Sequence, residues 1–199
     1  TQGTTPPESQ IPQRSVDAAL AVTQPGSLTG VVPQDELGWP DIPGVTYNGL
    51  ITTRYDLDFG EDIDSGIVSN YPPSVAGRPA YPIFVSKVDE DGNEVAGVRL
   101  PEVEAPVATT TGWALRRAGF SENEGCESNG QHIPFAVTKV DRVASGDPRL
   151  SLEERYKNHD GYVQAVTKAA RKLEKQRFLL PADVQQYIED AEASDVLRR

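Results

Sequence analysis

The sequence predicts a mixed α/β fold in which a β-hairpin region is followed by two or three helices. Three observations carry this prediction. Thr52, Arg54, Asp56 and Asp58 alternate with Thr53, Tyr55, Leu57 and Phe59, a period of 2 with one apolar face. Asp89-Glu90-Asp91-Gly92-Asn93 separates two apolar runs, and after Ser151 the apolar residues recur at helical spacing.

In chain order, residues 1–44 read as an extended segment punctuated by proline, which fixes its own φ and restricts the residue before it. Leu37-Gly38-Trp39-Pro40 and Ile42-Pro43-Gly44 read as turns with apolar anchors between them. Such a stretch wraps a body that supplies its burial. Residues 45–107 form the β-rich region, with a hairpin over 81–100. Its arms are Tyr81-Pro82-Ile83-Phe84-Val85 and the return through Val95, Gly97, Val98 and Leu100. Gly92 supplies the positive φ that the turn requires.

Residues 108–150 read as loop, with a short helical possibility around Trp113-Ala114-Leu115-Arg116-Arg117 and a polar stretch over 121–131. Residues 151–199 are predicted helical. Ser151-Leu152-Glu153-Glu154 spells a capping box. Tyr162, Val163, Val166, Ala169, Ala170 and Leu173 line one face of a helix, and Pro181 opens another with Val184, Tyr187 and Ile188 inward.

Composition removes several function classes. The chain has 199 residues and a net charge of −11, and residues 151–199 hold nine basic against nine acidic side chains. Residues 1–150 therefore carry the whole imbalance. A surface of that sign repels phosphate backbones, so nucleic acid is not expected as a partner. No apolar run approaches the ~18 residues that a membrane helix needs. Thr1 and the absence of Met suggest a trimmed, processed or excerpted chain. Cys126 is the one cysteine, so no disulfide closes within the chain.

Motifs that would carry chemistry are mostly missing. No Gly-x-Ser-x-Gly elbow, phosphate-binding glycine loop or His-Glu-x-x-His pair occurs. Asp89, Asp91 and Asn93 alternate like the first ligands of a calcium loop, but Gly92 is misplaced and the distal glutamate is missing. A hairpin turn accounts for them better. Asp56, Asp58, Glu61, Asp62 and Asp64 form a denser cluster that Arg54 and solvent can relieve, so no metal is expected. Thr1 invites comparison with N-terminal nucleophiles, yet Gln2-Gly3-Thr4-Thr5-Pro6-Pro7 is hostile to the strand they need. Trp113 follows Thr109-Thr110-Thr111-Gly112 and either faces a cleft or packs in the core, the second being the plainer reading. His132, before Ile133-Pro134-Phe135, divides in the same way between a pocket and a structural hydrogen bond.

Longer blocks say more. Leu37–Val45, Asp89–Val103, Thr111–Arg116, Ile133–Ala136, Gly146-Asp147-Pro148-Arg149, Ser151–Tyr156 and Leu179-Leu180-Pro181 together resemble the C-terminal part of the "alpha/beta hydrolase domain" family of large serine esterases. The likeness is collinear from about residue 5 to 190.

The resemblance implies the α/β-hydrolase superfamily, with this chain as an accessory C-terminal segment. In that family the nucleophilic serine and a Gly-Thr-Gln-His-Gly histidine segment lie upstream, which implies no triad residue here. The chain departs from the family at Thr109-Thr110-Thr111 and at His132, where aromatics are usual. The expectation is an entrance-shaping segment of a hydrolase of carboxylic esters, or less readily amides, with Trp113 and His132 as substrate-facing residues. No cofactor is expected. The partners expected are the upstream catalytic part and a small-molecule ester. The rival is an autonomous secreted binding module that uses Trp113, Trp39 and Tyr81 as a ligand platform.

Overall fold

The computed structural model describes residues 21–23, 29–31, 34–47, 50–52, 56–77, 84–122, 124–126 and 129–198. Thr1, the period-2 residues 53–55 and the outer hairpin arm 81–83 lie outside them. Five two-stranded antiparallel ladders and a set of helices make up the described chain. Small sheets mixed with helices are the α/β composition that the sequence predicts.

Strand β1 (Ala21–Thr23) pairs not with a sequence neighbour but with β6 (Phe84–Ser86), Ala21 opposite Ser86. β2 (Thr29–Val31) pairs with β3 (Leu50–Thr52). Between them lies the single turn α1 (Gln34–Leu37), which stops at Gly38, where φ is +83°. The Gly38 and Trp39 amides donate back to the Gln34 carbonyl, and Gln34 Nε2 donates to the Trp39 carbonyl at 3.3 Å. Trp39 is thereby aimed inward. β4 (Leu57–Asp58) and β5 (Ser74–Val75) form a small lobe around a 3-10 turn at Ile63–Ser65.

The hairpin tip forms at the Asp-Gly step. Asp89 N donates to the Asn93 carbonyl at 2.9 Å, Gly92 has φ +79°, and Val88 bridges Glu94. The return arm soon leaves the ladder, because Asn93 is drawn onto β7 (Ala108–Thr111) instead. Its Nδ2 donates to the Ala108 carbonyl at 3.1 Å, and its Oδ1 accepts from Thr110 N at 2.8 Å. The chain then turns through α2 (Pro101–Glu104).

Residues 108–150, read as loop, hold ordered structure. β7 pairs with β10 (Gln131–Pro134), and β8 (Ala114–Leu115) pairs with β9 (Gly125–Cys126) where a short helix was expected. α3 (Lys139–Ser145) follows, capped by Thr138 and ended by Gly146 at φ +75°. The Thr109-Thr110-Thr111 run is β-branched and suits a strand. Its partner lies some twenty residues away, beyond the reach of local patterning.

Three helices complete the chain. α4 (Leu152–Tyr156) begins with the capping box that Ser151 and Glu154 spell. α5 (His159–Lys175) buries Val166, Ala169, Ala170 and Leu173. At Gly161 a Cβ would fall 1.9 Å from the Tyr156 carbonyl, so this close α4–α5 junction needs glycine. α6 (Pro181–Ala193) buries Val184 and Ala191. No helix among the described residues is long and apolar enough to cross a membrane.

Two apolar clusters result. Leu37, Trp39 and Ile42 are joined by Val45, Tyr47, Val85, Val88, Trp113 and Ile133. Ala105, Val166 and Ala191 are joined by Tyr162, Val163, Ala165 and Tyr187. Among the described residues several large apolar side chains, Tyr71 and Val140 among them, stay exposed.

Candidate functional site

The β7–β10 ladder organises the middle of the chain. Along a strand, successive side chains point to opposite faces. Thr109 and Thr111 are buried, and Ile133 packs into the Trp39 cluster. Thr110 and His132, directly opposite each other in register, are exposed on the other face. His132 therefore looks outward.

Trp113 lies on the Ile133 side. Its ring centroid is 5.4 Å from that of Trp39 and 6.4 Å from that of Tyr47, the latter edge-on. Its carbonyl accepts from Thr111 Oγ1 and from Gln131 Nε2, which ties the residue to both strands. Trp113 stays half-buried. Trp39 is buried at 6 % exposure and is unavailable as a surface platform. Trp113 and His132 thus belong to opposite faces of one ladder.

Beneath the ladder lies a buried polar knot that sequence reasoning missed. Arg149, 3 % exposed, donates to both Asp147 carboxylate oxygens at 3.0 and 2.6 Å, to Thr109 Oγ1 at 2.8 Å and to the Ile133 carbonyl at 3.0 Å. Burial alone would raise the Asp147 pKa. The hydrogen bonds from Arg149, helped by its charge and that of Arg142, outweigh it and hold the carboxyl below its usual range.

Arg155 makes a bidentate pair with Asp91, and its guanidinium lies 4.3 Å from the Phe135 ring centroid, with that of Arg149 at 5.1 Å. Thr109 Oγ1 also donates to the Asp91 carbonyl. Arg142 chelates Glu154, and this, with Ser151, brings the glutamate pKa down to about 2 against an opposing burial effect. The one visible signal was the Asp147-Pro148-Arg149 spelling, an acid two places before a base. Its partners, up to 40 residues away, left no local trace.

Four of the seven blocks that carry the family likeness converge here. Asp89, Asp91 and Asn93 come from one block, Phe135 from another, Asp147 and Arg149 from a third, and Ser151, Glu154 and Arg155 from a fourth. All are engaged with one another or with the ladder. This is scaffold chemistry: the charges are matched and offer no reacting group.

Two open grooves flank the knot. One of about 300 Å³ is lined by Asn93, Glu94, Ala96, Val98, Arg99, Val103, Thr110, Thr111 and Gly112. It shares Thr110 with the His132 face. Arg99 at its edge is committed to Asp89 at 2.6 Å, to Glu104 at 3.5 Å and to the Glu94 and Val103 carbonyls. The other, of about 640 Å³, runs along Val137, Thr138, Glu153, Lys157, Asn158, His159, Asp160, Leu197 and Arg198. There His159 Nδ1 lies 2.9 Å from the Val196 carbonyl, which needs a donor, so Nε2 is left to accept from Arg198 Nε at 3.3 Å. Both ring nitrogens are thus occupied in holding the C-terminal turn.

Among the described residues no three His, Cys, Asp or Glu side chains are grouped to hold a metal ion. Cys126 is a free, partly buried thiol that accepts from Asn129 Nδ2 at 3.3 Å.

A family model described as "alpha/beta hydrolase domain" matches residues 3–189. The chain belongs to the alpha/beta hydrolase domain family, and its kind is that of a hydrolase. No curated protein and no solved structure matches it.

Proposed function

We propose that this chain is the C-terminal portion of a serine hydrolase of carboxylic esters, and that it shapes the substrate entrance while the catalytic triad lies on an upstream part of the same enzyme. One observation carries the reading. A hydrolase-family likeness spans nearly the whole chain, yet the sequence holds no nucleophile elbow. His159 is engaged through both ring nitrogens, and His132 projects from an exposed strand face.

An entrance segment contributes orientation and removal of water. The outward face of the β7–β10 ladder suits that role, because His132 and Thr110 stand side by side and the groove walled by Val98 and Val103 adjoins them. The Arg149 knot beneath holds the ladder still, so a substrate group resting on it meets a fixed surface. Trp113 supports the same ladder from the opposite side and stays partly exposed there, where it can face a substrate.

Esters are favoured over amides by the family likeness alone, so the substrate class needs its own test. The complete natural enzyme is expected to hydrolyse p-nitrophenyl esters and to be silenced by a serine-reactive phosphonate. Turnover of anilides with no turnover of esters would contradict the ester reading. Ester turnover that resists the phosphonate would contradict the serine.

A further inference from the structure

A pocket of about 160 Å³ lies where α2, α5 and α6 meet, and it shares no lining residue with either groove described above. Helical spacing builds it. Tyr162 and Val166 are four places apart on α5, and Tyr187 and Ala191 four apart on α6, so each pair shares one face. α2 opens with Pro101 and sets Glu102 beside α6, where the Tyr187 phenol donates to Glu102 Oε2 at 3.2 Å. Pro101, Val166 and Ala191 are buried and make the floor. Tyr162 and Tyr187, partly buried, make the walls, and Glu102 and Asp190 stand exposed at the rim.

Charge, walls and size together narrow the occupant. No Lys or Arg lines the pocket. The basic side chains that reach α2 are taken, since Arg99 pairs with Asp89 and Glu104, and Lys172 with Glu104. Among the described residues Glu102 and Asp190 form no ion pair; Asp190 Oδ1 accepts from Gln186 Nε2 at 2.8 Å. Burial raises both phenols, Tyr187 to about 12, and Glu102 pushes both the same way. The charge felt inside is therefore negative. Aromatic walls attract a cation through their ring faces, and quaternary ammonium groups are recognised in this way. A quaternary group also suits the floor, whose side chains accept no hydrogen bond. At ~30 Å³ for each water-sized atom, the space takes about five non-hydrogen atoms, a nitrogen with its methyl groups. We propose that this pocket binds the quaternary ammonium group of a free organic amine, with Tyr162 and Tyr187 against the methyl groups and Glu102 and Asp190 facing the charge. Such binding does not depend on the serine hydrolase reading.

The test is saturation-transfer NMR on the complete natural protein, titrated with tetramethylammonium chloride at constant ionic strength. Saturable binding is expected, with little binding of tert-butanol, which has similar size and no charge. Phosphocholine should bind more weakly than tetramethylammonium, because the rim repels its phosphate. Glu102→Gln, at an exposed position, should weaken tetramethylammonium binding at least about 3-fold with unchanged Tm. Tyr187→Leu should weaken it by a similar factor. Equal binding of tert-butanol would reduce the site to an apolar crevice and overturn the proposal. So would phosphocholine binding as tightly as tetramethylammonium, no saturable binding at all, or binding that Glu102→Gln leaves unchanged.

Discussion

Arg149 concentrates more structure than any other described residue, since one guanidinium joins Asp147, Thr109 and the β10 backbone. Arg149→Met leaves Asp147 buried without its hydrogen-bonded guanidinium, with only the charge of Arg142 still acting on it. The urea midpoint of the complete protein should then fall by an amount equal to about 3–5 kcal/mol. A loss under about 1 kcal/mol would show that the knot does not organise the fold.

Glu154 yields a pH test. Its folded pKa, about 2, lies below its ordinary 4.5, so the pair with Arg142 contributes stability that is fully present above pH 4.5 and lost as pH falls through 2. In acid titrations, the stability gap between wild type and Glu154→Gln should close across that window. A gap independent of pH would contradict the assignment.

His132 and Trp113 should separate in kinetics. His132→Ala, on an exposed face, is expected to lower kcat/KM at least about 3-fold with little change in Tm. Trp113→Ala opens the aromatic cluster and should cost about 2–4 kcal/mol, with any catalytic loss following from that. No kinetic effect of His132→Ala would remove it from the entrance.

The elements divide into those that local sequence announces and those that it does not. The Ser151 capping box, the apolar stripe of α5 and the Asp-Gly turn were legible because each depends on residues within a turn or two of one another. The β1–β6 and β7–β10 pairings were not, because they join segments some 60 and 20 residues apart and are short enough to leave no clear period. The hairpin lost its return arm for a related reason: Asn93, a turn residue by sequence, is stapled to a strand that the sequence hides.

At this turn, Gly92→Ala meets both a positive φ and a contact of 2.9 Å from the new Cβ to Thr109 Cγ2. It should cost about 1–3 kcal/mol, and hydrogen exchange of the β7 amides should rise with it. Unchanged exchange there would uncouple the turn from the ladder.

At the scale of the whole molecule, the interior among the described residues consists of two small apolar clusters and a charged knot. The family likeness was legible because whole blocks carry it, and the structure shows four of them meeting around Arg149 and Arg155. The candidate entrance was legible only as two residue names. Which face each would take depended on the register of a ladder that no local pattern reveals.

The proposed function places the bond-breaking serine on a part other than these residues. Labelling the complete natural protein with a serine-reactive phosphonate and sequencing the modified peptide tests that placement most directly. The label is predicted on a serine outside residues 1–199. A label on any serine within them would contradict it.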